Sequence, residues 1–281
     1  MNPADPAQAP LIHPTALIHP GARLGAGVRV GPYAVIEGPA EIGDGCVIQA
    51  HAVITGWVRM GVENTIGYGA IVGADPQDYA FNPATESWVV LGDHNRIREY
   101  STLHRGTGEG TETRVGSHCF LMTGAHVGHN AQVADRVVIA NNVLLAGHVH
   151  IERGVFLGGG SVFHQFVHVG RQAIIQGNGA ISKNVPPFLI AAKLNGIVGI
   201  NVVGLRRSGM DAAQRQEVKD AFKLLYKSGL NTAQALAAAK ERAWGEAGRD
   251  FFEFVAGSKK RGICDFMNLR AGAGRAEEAA E

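Results

Sequence analysis

The chain has 281 residues and a formal net charge of +1, so no basic surplus indicates general nucleic-acid binding. Glycine is abundant, with 38 residues, and aromatic residues make up only 7%, which favours many short strands joined by tight corners. Cys46, Cys119 and Cys264 lack metal-ligand spacing and are interpreted as reduced thiols. The N-terminus lacks the basic and apolar regions of a signal peptide, and no apolar run could cross a bilayer. These features predict a cytoplasmic protein without a membrane span.

An aliphatic residue recurs every six positions through most of the N-terminal part of the chain. The series runs from Ile12 to Val72, resumes one residue out of step at Leu91, and continues from Val115 to Ile181. A helix repeats near 3.6 residues and a strand at 2, so neither explains this spacing. The hexapeptide period predicts a parallel β-helix, in which three hexads form one triangular coil of about 18 residues.

Two segments interrupt the hexads, residues 73–90 and residues 104–114. Loops that leave a solenoid often serve binding, so the first is predicted to contribute to a binding site. The hexads end after a pair of prolines, and the sequence beyond has apolar residues at helical spacing with capping residues at the ends. We therefore predict a β-helix domain over residues 1–190, followed by a linker and a C-terminal α-helical domain over residues 191–281.

Four histidines fall on one strip of the predicted prism, because stacking brings together residues about 18 apart. They are His126, His129, His148 and His164, whereas His104 and His118 fall elsewhere in the repeat. Three imidazoles on one strip could hold zinc, as in the gamma-class carbonic anhydrases, which share this type of fold. Alternatively, one imidazole acts as a general base and the others bind substrate. The spacing alone leaves both alternatives open.

Longer motifs accompany the repeat. They are "GPYAVI", "DPQD", "NRIREYSTLHRGT", "AHVGHN", "ANNVLLAGHV", "GGGSVFHQF", "VPPFLIA" and "GINVVGLRR". Over nearly its whole length the chain resembles the bacterial UDP-N-acetylglucosamine O-acyltransferases that begin lipid A biosynthesis. The resemblance implies left-handed coils and a homotrimer with active sites between neighbouring prisms. It also implies a reaction that needs no metal or other cofactor, because the thioester substrate is already activated.

The resemblance assigns roles to individual residues. His129 would be the general base that takes the proton from the sugar 3-hydroxyl, and the Gly147 N–H would stabilise the oxyanion. Gly177 would lie at the floor of the acyl channel and limit the chain length. The other implied substrate-binding residues are Gln77, Asp78, His126, His148, His164, Gln165, Asn201 and Arg207. The acyl donor would be acidic acyl carrier protein, with candidate docking charges at Arg171, Lys183, Lys193, Arg206, Lys223 and Lys227.

Departures of the chain from the family pattern bear on which acceptor it uses. The family usually has Asp after the catalytic His, and this chain has Asn130. Val203 and Ser208 stand where the family has an acidic and a basic residue near the nucleotide. The predicted activity is transfer of a (3-hydroxy)fatty acyl chain from acyl carrier protein to the 3-position of UDP-N-acetylglucosamine. N-acylation of the 3-amino analogue of the UDP-sugar and a zinc enzyme like the gamma-class carbonic anhydrases are the alternatives.

Overall fold

The computed structural model describes residues 11–267, which build a prism of short strands followed by four helices. The strands form three sheets, named here A, B and C. Sheet A contains β1 (Leu11–Ile12), β4 (Arg29–Val30), β7 (Val47–Ile48), β10 (Thr65–Ile66), β13 (Arg96–Ile97), β16 (Phe120–Leu121), β19 (Val138–Ile139), β22 (Phe156–Leu157), β25 (Ile174–Ile175), β27 (Leu189–Ala192), β28 (Gly196–Ile200) and β29 (Asp265–Phe266). Sheet B contains β2 (Leu17–Ile18), β5 (Val35–Ile36), β8 (Val53–Ile54), β11 (Ile71–Ala74), β14 (Thr102–His104), β17 (His126–Val127), β20 (Leu144–Leu145), β23 (Val162–Phe163) and β26 (Ala180–Ile181). Sheet C contains β3 (Arg23–Leu24), β6 (Glu41–Ile42), β9 (Val58–Met60), β12 (Trp88–Leu91), β15 (Glu112–Val115), β18 (Gln132–Val133), β21 (His150–Ile151) and β24 (His168–Val169).

The core of the prism is a stack of the aliphatic residues that define the hexads. Val127 pairs with Leu145 in the next coil, and Leu145 pairs in turn with Phe163, all three being buried. Removing each large aliphatic side chain from water contributes roughly 1.5–3 kcal/mol before the cost of ordering the chain. All pairs within the prism are parallel, and only β27 and β28 at its end run antiparallel. The fold is the left-handed parallel β-helix that the sequence predicts.

The corner between sheets B and C carries side chains on a left-handed backbone. Asn130, His148 and Phe166 have φ angles of 58°, 58° and 63°, and we call these three residues the corner column. Asparagine adopts this conformation readily, whereas a bulky side chain such as phenylalanine does so rarely. Because successive coils are in register, the His148 and Phe166 rings stack with their centroids 4.6 Å apart. The corner therefore presents a column of side chains beside sheet B.

The chain leaves the prism at two loops that are shorter than the sequence suggests. Strands β11 and β12 extend into the expected segment 73–90, so the first loop spans residues 75–87. Strands β14 and β15 likewise narrow the second loop from 104–114 to 105–111. Pairing of β11 with β14 and of β12 with β15 satisfies the backbone polar groups of these extra residues, which keeps them in the sheets.

The C-terminal helices pack together and against the last strands of sheet A. They are α1 (Val202–Arg207), α2 (Ala212–Tyr226), α3 (Thr232–Lys240) and α4 (Glu246–Gly257). Helix α2 begins at Asp211 with a capping box and buries one face of apolar side chains, as its spacing predicts. Strand β27 spans the expected domain boundary between residues 190 and 191, pairing with β25 on one side and β28 on the other. Among the helices of residues 11–267, none is long and apolar enough to cross a membrane.

Candidate active site

A pocket of about 560 Å³ opens on the outer face of sheet B, where several histidines converge. Its lining consists of Gln77, Thr102, His104, Gly124, His126, Gly128, His129, Leu144, Ala146, Gly147, Val162, Phe163 and Gln165. The first residue of each two-residue strand points outward and the second into the core, which places His126 outside and Val127 inside. A larger cleft of about 690 Å³ on the first coils of sheet A is lined mainly by aliphatic residues and proline, and brings no two histidines together.

Asn130 fixes the orientation of the His129 imidazole. Its Oδ1 lies 3.0 Å from His129 Nδ1 and also accepts hydrogen bonds from the backbone N and the Oγ1 of Thr107, at 3.1 and 2.9 Å. Because two other donors point at this atom, it is the amide oxygen, and Nδ1 of the neutral ring must carry the proton that it shares. His129 Nε2 is then left with a free lone pair, as a general base requires.

Gly147 lies directly beneath the His129 ring. A Cβ at this position would meet His129 Cε1 and Nε2 at 2.4 Å, so only glycine lets the ring take this place. Within residues 11–267, the Gly147 N–H donates to no acceptor. A free backbone donor thus stands beside a free imidazole lone pair. This combination can deprotonate a nucleophile and stabilise the oxyanion formed when it attacks a carbonyl group.

His104 lies in the pocket, in contrast to its expected position elsewhere on the prism. Its ring centroid is 5.0 Å from that of His126. The loop at 105–111 lengthens this coil beyond its usual 18 or so residues. Thr102 therefore pairs with His126, which lies 24 positions later, and the histidines of successive coils align differently from the prediction. The sequence carries the signal in the interruption of the hexads, but a fixed repeat length overlooks it.

Burial favours the neutral form of two pocket histidines, His126 and His104. Burial, together with the neighbouring His104 and His129 rings, lowers the pKa of His126 to about 4. Burial also lowers the pKa of His104, whose Nδ1 donates to the backbone oxygen of Asp75 at 2.6 Å. His126 Nδ1 lies 2.9 Å from Thr102 Oγ1, so this ring is held by a neutral hydrogen bond. Such rings can bind a polar substrate at neutral pH without adding charge.

The remaining predicted site residues differ in how close they lie to His129 and Gly147. His148 meets His129 edge-on with ring centroids 5.2 Å apart, and Gln77 and Gln165 line the pocket. His164 is exposed and does not line the pocket, its Nδ1 lying 3.2 Å from the Gln165 backbone oxygen. Asp78 also lies outside the lining, and its Oδ1 accepts a hydrogen bond from the nearby backbone of the first loop.

Three predicted site residues are apart from this pocket. Gly177 is exposed at the corner between sheets A and B, between β25 and β26. Asn201 is 6% exposed and caps helix α1, its Oδ1 accepting from Gly204 N and its Nδ2 donating to Gln172 O. Arg207 is exposed in the last turn of the same helix. An Asn before a helix is a cap signal, and both polar atoms of Asn201 are engaged in the fold.

The donor geometry does not favour a metal site. Over residues 11–267 no group of three or more His, Cys, Asp or Glu side chains is arranged to hold a metal ion. The zinc alternative therefore has no ligand set in the part of the chain that the structure describes.

Two family models match the chain. One, described as UDP N-acetylglucosamine O-acyltransferase, domain 2, matches residues 184–264. The other, described as bacterial transferase hexapeptide (six repeats), matches residues 21–56 and 112–147.

Relatives and solved structures match over most of their length. The acyl-(acyl-carrier-protein)–UDP-N-acetylglucosamine O-acyltransferases of Gloeothece citriformis and a Synechocystis species are 45% and 44% identical to the chain, over 82% and 81% of it and 85% and 83% of theirs. The structure of the Francisella novicida UDP-N-acetylglucosamine acyltransferase has a TM-score of 0.88 at 33% identity, covering 93% of this chain and 96% of that one. The Bacteroides fragilis enzyme has a TM-score of 0.86 at 36% identity, covering 90% and 99%. With relatives at this identity over most of both chains, the chain belongs to the family of UDP-N-acetylglucosamine O-acyltransferases.

Proposed function

We propose that this chain transfers a 3-hydroxy fatty acyl chain from acyl carrier protein to the 3-position of UDP-N-acetylglucosamine, the first step of lipid A biosynthesis. The relatives are named for acyl transfer from acyl carrier protein to this sugar nucleotide. One observation of the structure carries the proposal. The free Nε2 of His129 and the free N–H of Gly147 face the same pocket side by side.

In the proposed reaction, His129 Nε2 takes the proton of the sugar 3-hydroxyl while that oxygen attacks the thioester carbonyl carbon. The Gly147 N–H donates to the carbonyl oxygen as it becomes negative, a contribution of about 10²–10³ in rate for one such donor. The C–S bond then breaks, and the departing thiolate receives the proton from His129. Asn130 holds the imidazole in the tautomer that this sequence needs.

The pocket lining supplies candidate contacts for the sugar. We assign His126, His148, Gln77 and Gln165 to this role because they line the pocket or contact His129. His164 and Asp78 remain proposed contacts at its margin. Arg207 and Asn201 lie apart from the pocket of their own chain, so their proposed contact with the nucleotide requires a neighbouring subunit.

The outer face of sheet B offers a path for the acyl chain. Leu144 and Val162 are 47% and 40% exposed, and they pair with each other in successive coils. The next residue of this outward row is Ala180, which pairs with Val162. The row therefore leads from the pocket, in steps of about 4.8 Å, towards the corner that holds Gly177. We propose that the acyl chain lies along this row and that Gly177 limits its length.

A homotrimer would enclose this path. Sheet A also carries outward apolar side chains, among them Phe156, which is 41% exposed, whereas the outward row of sheet C includes Arg114, Gln132 and His150. Packing sheet A of one prism beside sheet B of the next would bury both apolar rows and leave the polar sheet in water. We propose this arrangement, in which each acyl path lies between two subunits.

The acidic carrier protein would dock on basic residues of the C-terminal half of the chain. Arg171 already pairs with Glu246 at 3.3 Å, and Lys183 with Asp265 at 2.6 Å. The four candidates that form no ion pair within residues 11–267 are Lys193, Arg206, Lys223 and Lys227. We assign the docking role to these four. The cytoplasmic location that the sequence predicts stays a prediction.

The decisive experiment is an acyl-transfer assay with a ladder of acyl carrier protein thioesters and two acceptors, UDP-N-acetylglucosamine and its 3-amino analogue. The neutral Asn130 beside the base is the observation that makes the amine acceptor worth including. His129→Ala should lower kcat by about 10²–10⁴ while the fold and the oligomer persist. His118→Ala is the matched control, because His118 is exposed and stacks on His94 away from the pocket. Full activity of His129→Ala, or transfer to neither acceptor by the wild type, would refute the proposal.

A further inference from the structure

A buried arginine at the end of β14 holds the first loop, residues 75–87, which we call the cleft loop. Arg105 is 3% exposed. Its Nε donates to Asp75 Oδ1 at 2.9 Å, at the start of the loop. Its Nη2 donates to Pro83 O at 2.8 Å, and its Nη1 donates to Thr85 O, near the end of the loop. One guanidinium group therefore ties the two ends of the cleft loop together.

The same contacts connect Arg105 to the pocket. Asp75 stands two residues before Gln77, the loop residue that lines the pocket. Its backbone oxygen accepts the Nδ1 proton of His104, the residue that precedes Arg105. The consecutive residues His104 and Arg105 thus both hold Asp75. His104 donates to its backbone carbonyl oxygen, and Arg105 donates to its carboxylate. A shift of Arg105 would move Gln77 and remove the restraint on the His104 ring.

Only arginine can make this set of contacts. Its planar group presents donors in several fixed directions, whereas lysine offers one compact ammonium group. A lysine could keep the ion pair with Asp75 but would leave the Pro83 and Thr85 carbonyl groups without their donors. Phe81 adds to the fit, because its ring centroid lies 4.8 Å from the guanidinium carbon. The cleft loop therefore depends on the shape of the Arg105 side chain and not only on its charge.

We propose that Arg105 is a positioning residue for the sugar nucleotide. It sets the cleft loop so that Gln77 meets this substrate, and it does so without touching the substrate itself. The inference rests on the proposed function, through the role given there to Gln77.

The test compares Arg105→Lys with Arg114→Lys in the full-length protein. Arg114 is the matched control, because its side chain is 51% exposed and pairs with Glu112 on the same strand. Arg105→Lys should raise KM for UDP-N-acetylglucosamine, lowering kcat/KM for that substrate by about 10–10²-fold, the usual cost of misplacing a substrate-binding group. KM for the acyl donor should stay within about twofold, because the acyl path lies on other residues. Arg114→Lys should change neither constant.

Two further measurements separate positioning from general support of the fold. Hydrogen exchange should rise at amides 75–87 in Arg105→Lys while the prism amides exchange as before. Gln77→Ala should cost much less in the Arg105→Lys protein than in the wild type, because residues that act as a unit are not additive. Unchanged exchange in the cleft loop, or costs that simply multiply, would overturn the proposal. If the wild type transfers no acyl group, the proposed function fails, while the exchange experiment still decides whether Arg105 holds the loop.

Discussion

Replacing Gly147 by alanine tests the arrangement of the base and the oxyanion donor with one methyl group. The added Cβ would lie 2.4 Å from His129 Cε1 and Nε2, whereas ordinary contacts begin at 3.4 Å. The imidazole must therefore retreat by about 1 Å, while the backbone N–H of residue 147 stays in place. A displacement of this size can cost about 10²-fold in rate, because a general base must lie within hydrogen-bond reach of its proton.

The assay is steady-state acyl transfer with the preferred thioester, and the expected result is a fall in kcat of about 10²-fold for Gly147→Ala. Gly199→Ala is the control, because a Cβ on Gly199 meets nothing within 4 Å. Thermal unfolding and light scattering check that both variants keep the fold and the same oligomer. In the His129→Ala background, Gly147→Ala should cost little, since the ring it displaces is already gone.

Two results would refute this reasoning. If Gly147→Ala retains more than half of the wild-type kcat in a folded protein, the position of the His129 ring does not govern the rate. Alternatively, the substitution could cost the same factor with and without His129. The methyl group would then act on the substrate or on the backbone donor instead of the base.

Three more predictions address chain length, acceptor and pH. Gly177→Met should shift the thioester preference to shorter chains, because a side chain there would occupy the proposed end of the acyl path, where an added Cβ alone would lie 3.2 Å from Gly159 O; an unchanged profile would remove Gly177 from this role. Asn130→Asp should help the hydroxyl acceptor more than the 3-amino analogue in kcat/KM measurements. A carboxylate stabilises the imidazolium, which forms as the hydroxyl attacks, whereas the amine attacks through its lone pair and gives up its proton afterwards; equal responses would contradict the prediction. Burial lowers the pKa of His126 from 6.5 to about 4. As the pH falls below 6.5, the unfolded ring gains a proton while the folded ring stays neutral. The free energy of unfolding therefore falls as the pH drops from 6.5 to about 4. In urea unfolding, the free energy of unfolding should fall between pH 8 and pH 5 by about 2 kcal/mol less in His126→Asn than in the wild type. An equal fall in both proteins would contradict the assignment.

The fold could be predicted from the sequence because its core obeys one local rule. Most hexads bury an aliphatic residue and the small or apolar residue two positions before it, as with Val137 and Ile139, so the pattern is visible without knowledge of distant contacts. The same regularity predicts one strip for His126, His129, His148 and His164. The structure brings the first three to one pocket or its edge, whereas His164 is exposed outside the lining. His104 was misplaced because the lengthened coil changes the phase.

Other features of the site depend on geometry that no spacing encodes. The need for glycine at 147 follows from the position of the His129 ring, and the free N–H follows from the hydrogen bonds of the surrounding coils. The anchoring of the cleft loop by Arg105 joins residues 20 to 30 positions apart, at separations that the 18-residue coil does not predict. Asn201 caps helix α1, a local signal that the resemblance did not use, and its contact with the nucleotide stays a prediction.

The left-handed backbone of the corner column constrains how this enzyme can change by mutation. At φ near +60°, valine, isoleucine and threonine are strained, and proline, with its fixed negative φ, cannot fit. Substitutions of Asn130 or His148 by these four residues are therefore expected to disfavour the folded state. Gln77 and Gln165 line the same pocket without a positive φ, so this backbone constraint does not apply to them. Mutations that change acceptor preference should therefore occur at Gln77 and Gln165 more often than at Asn130 and His148.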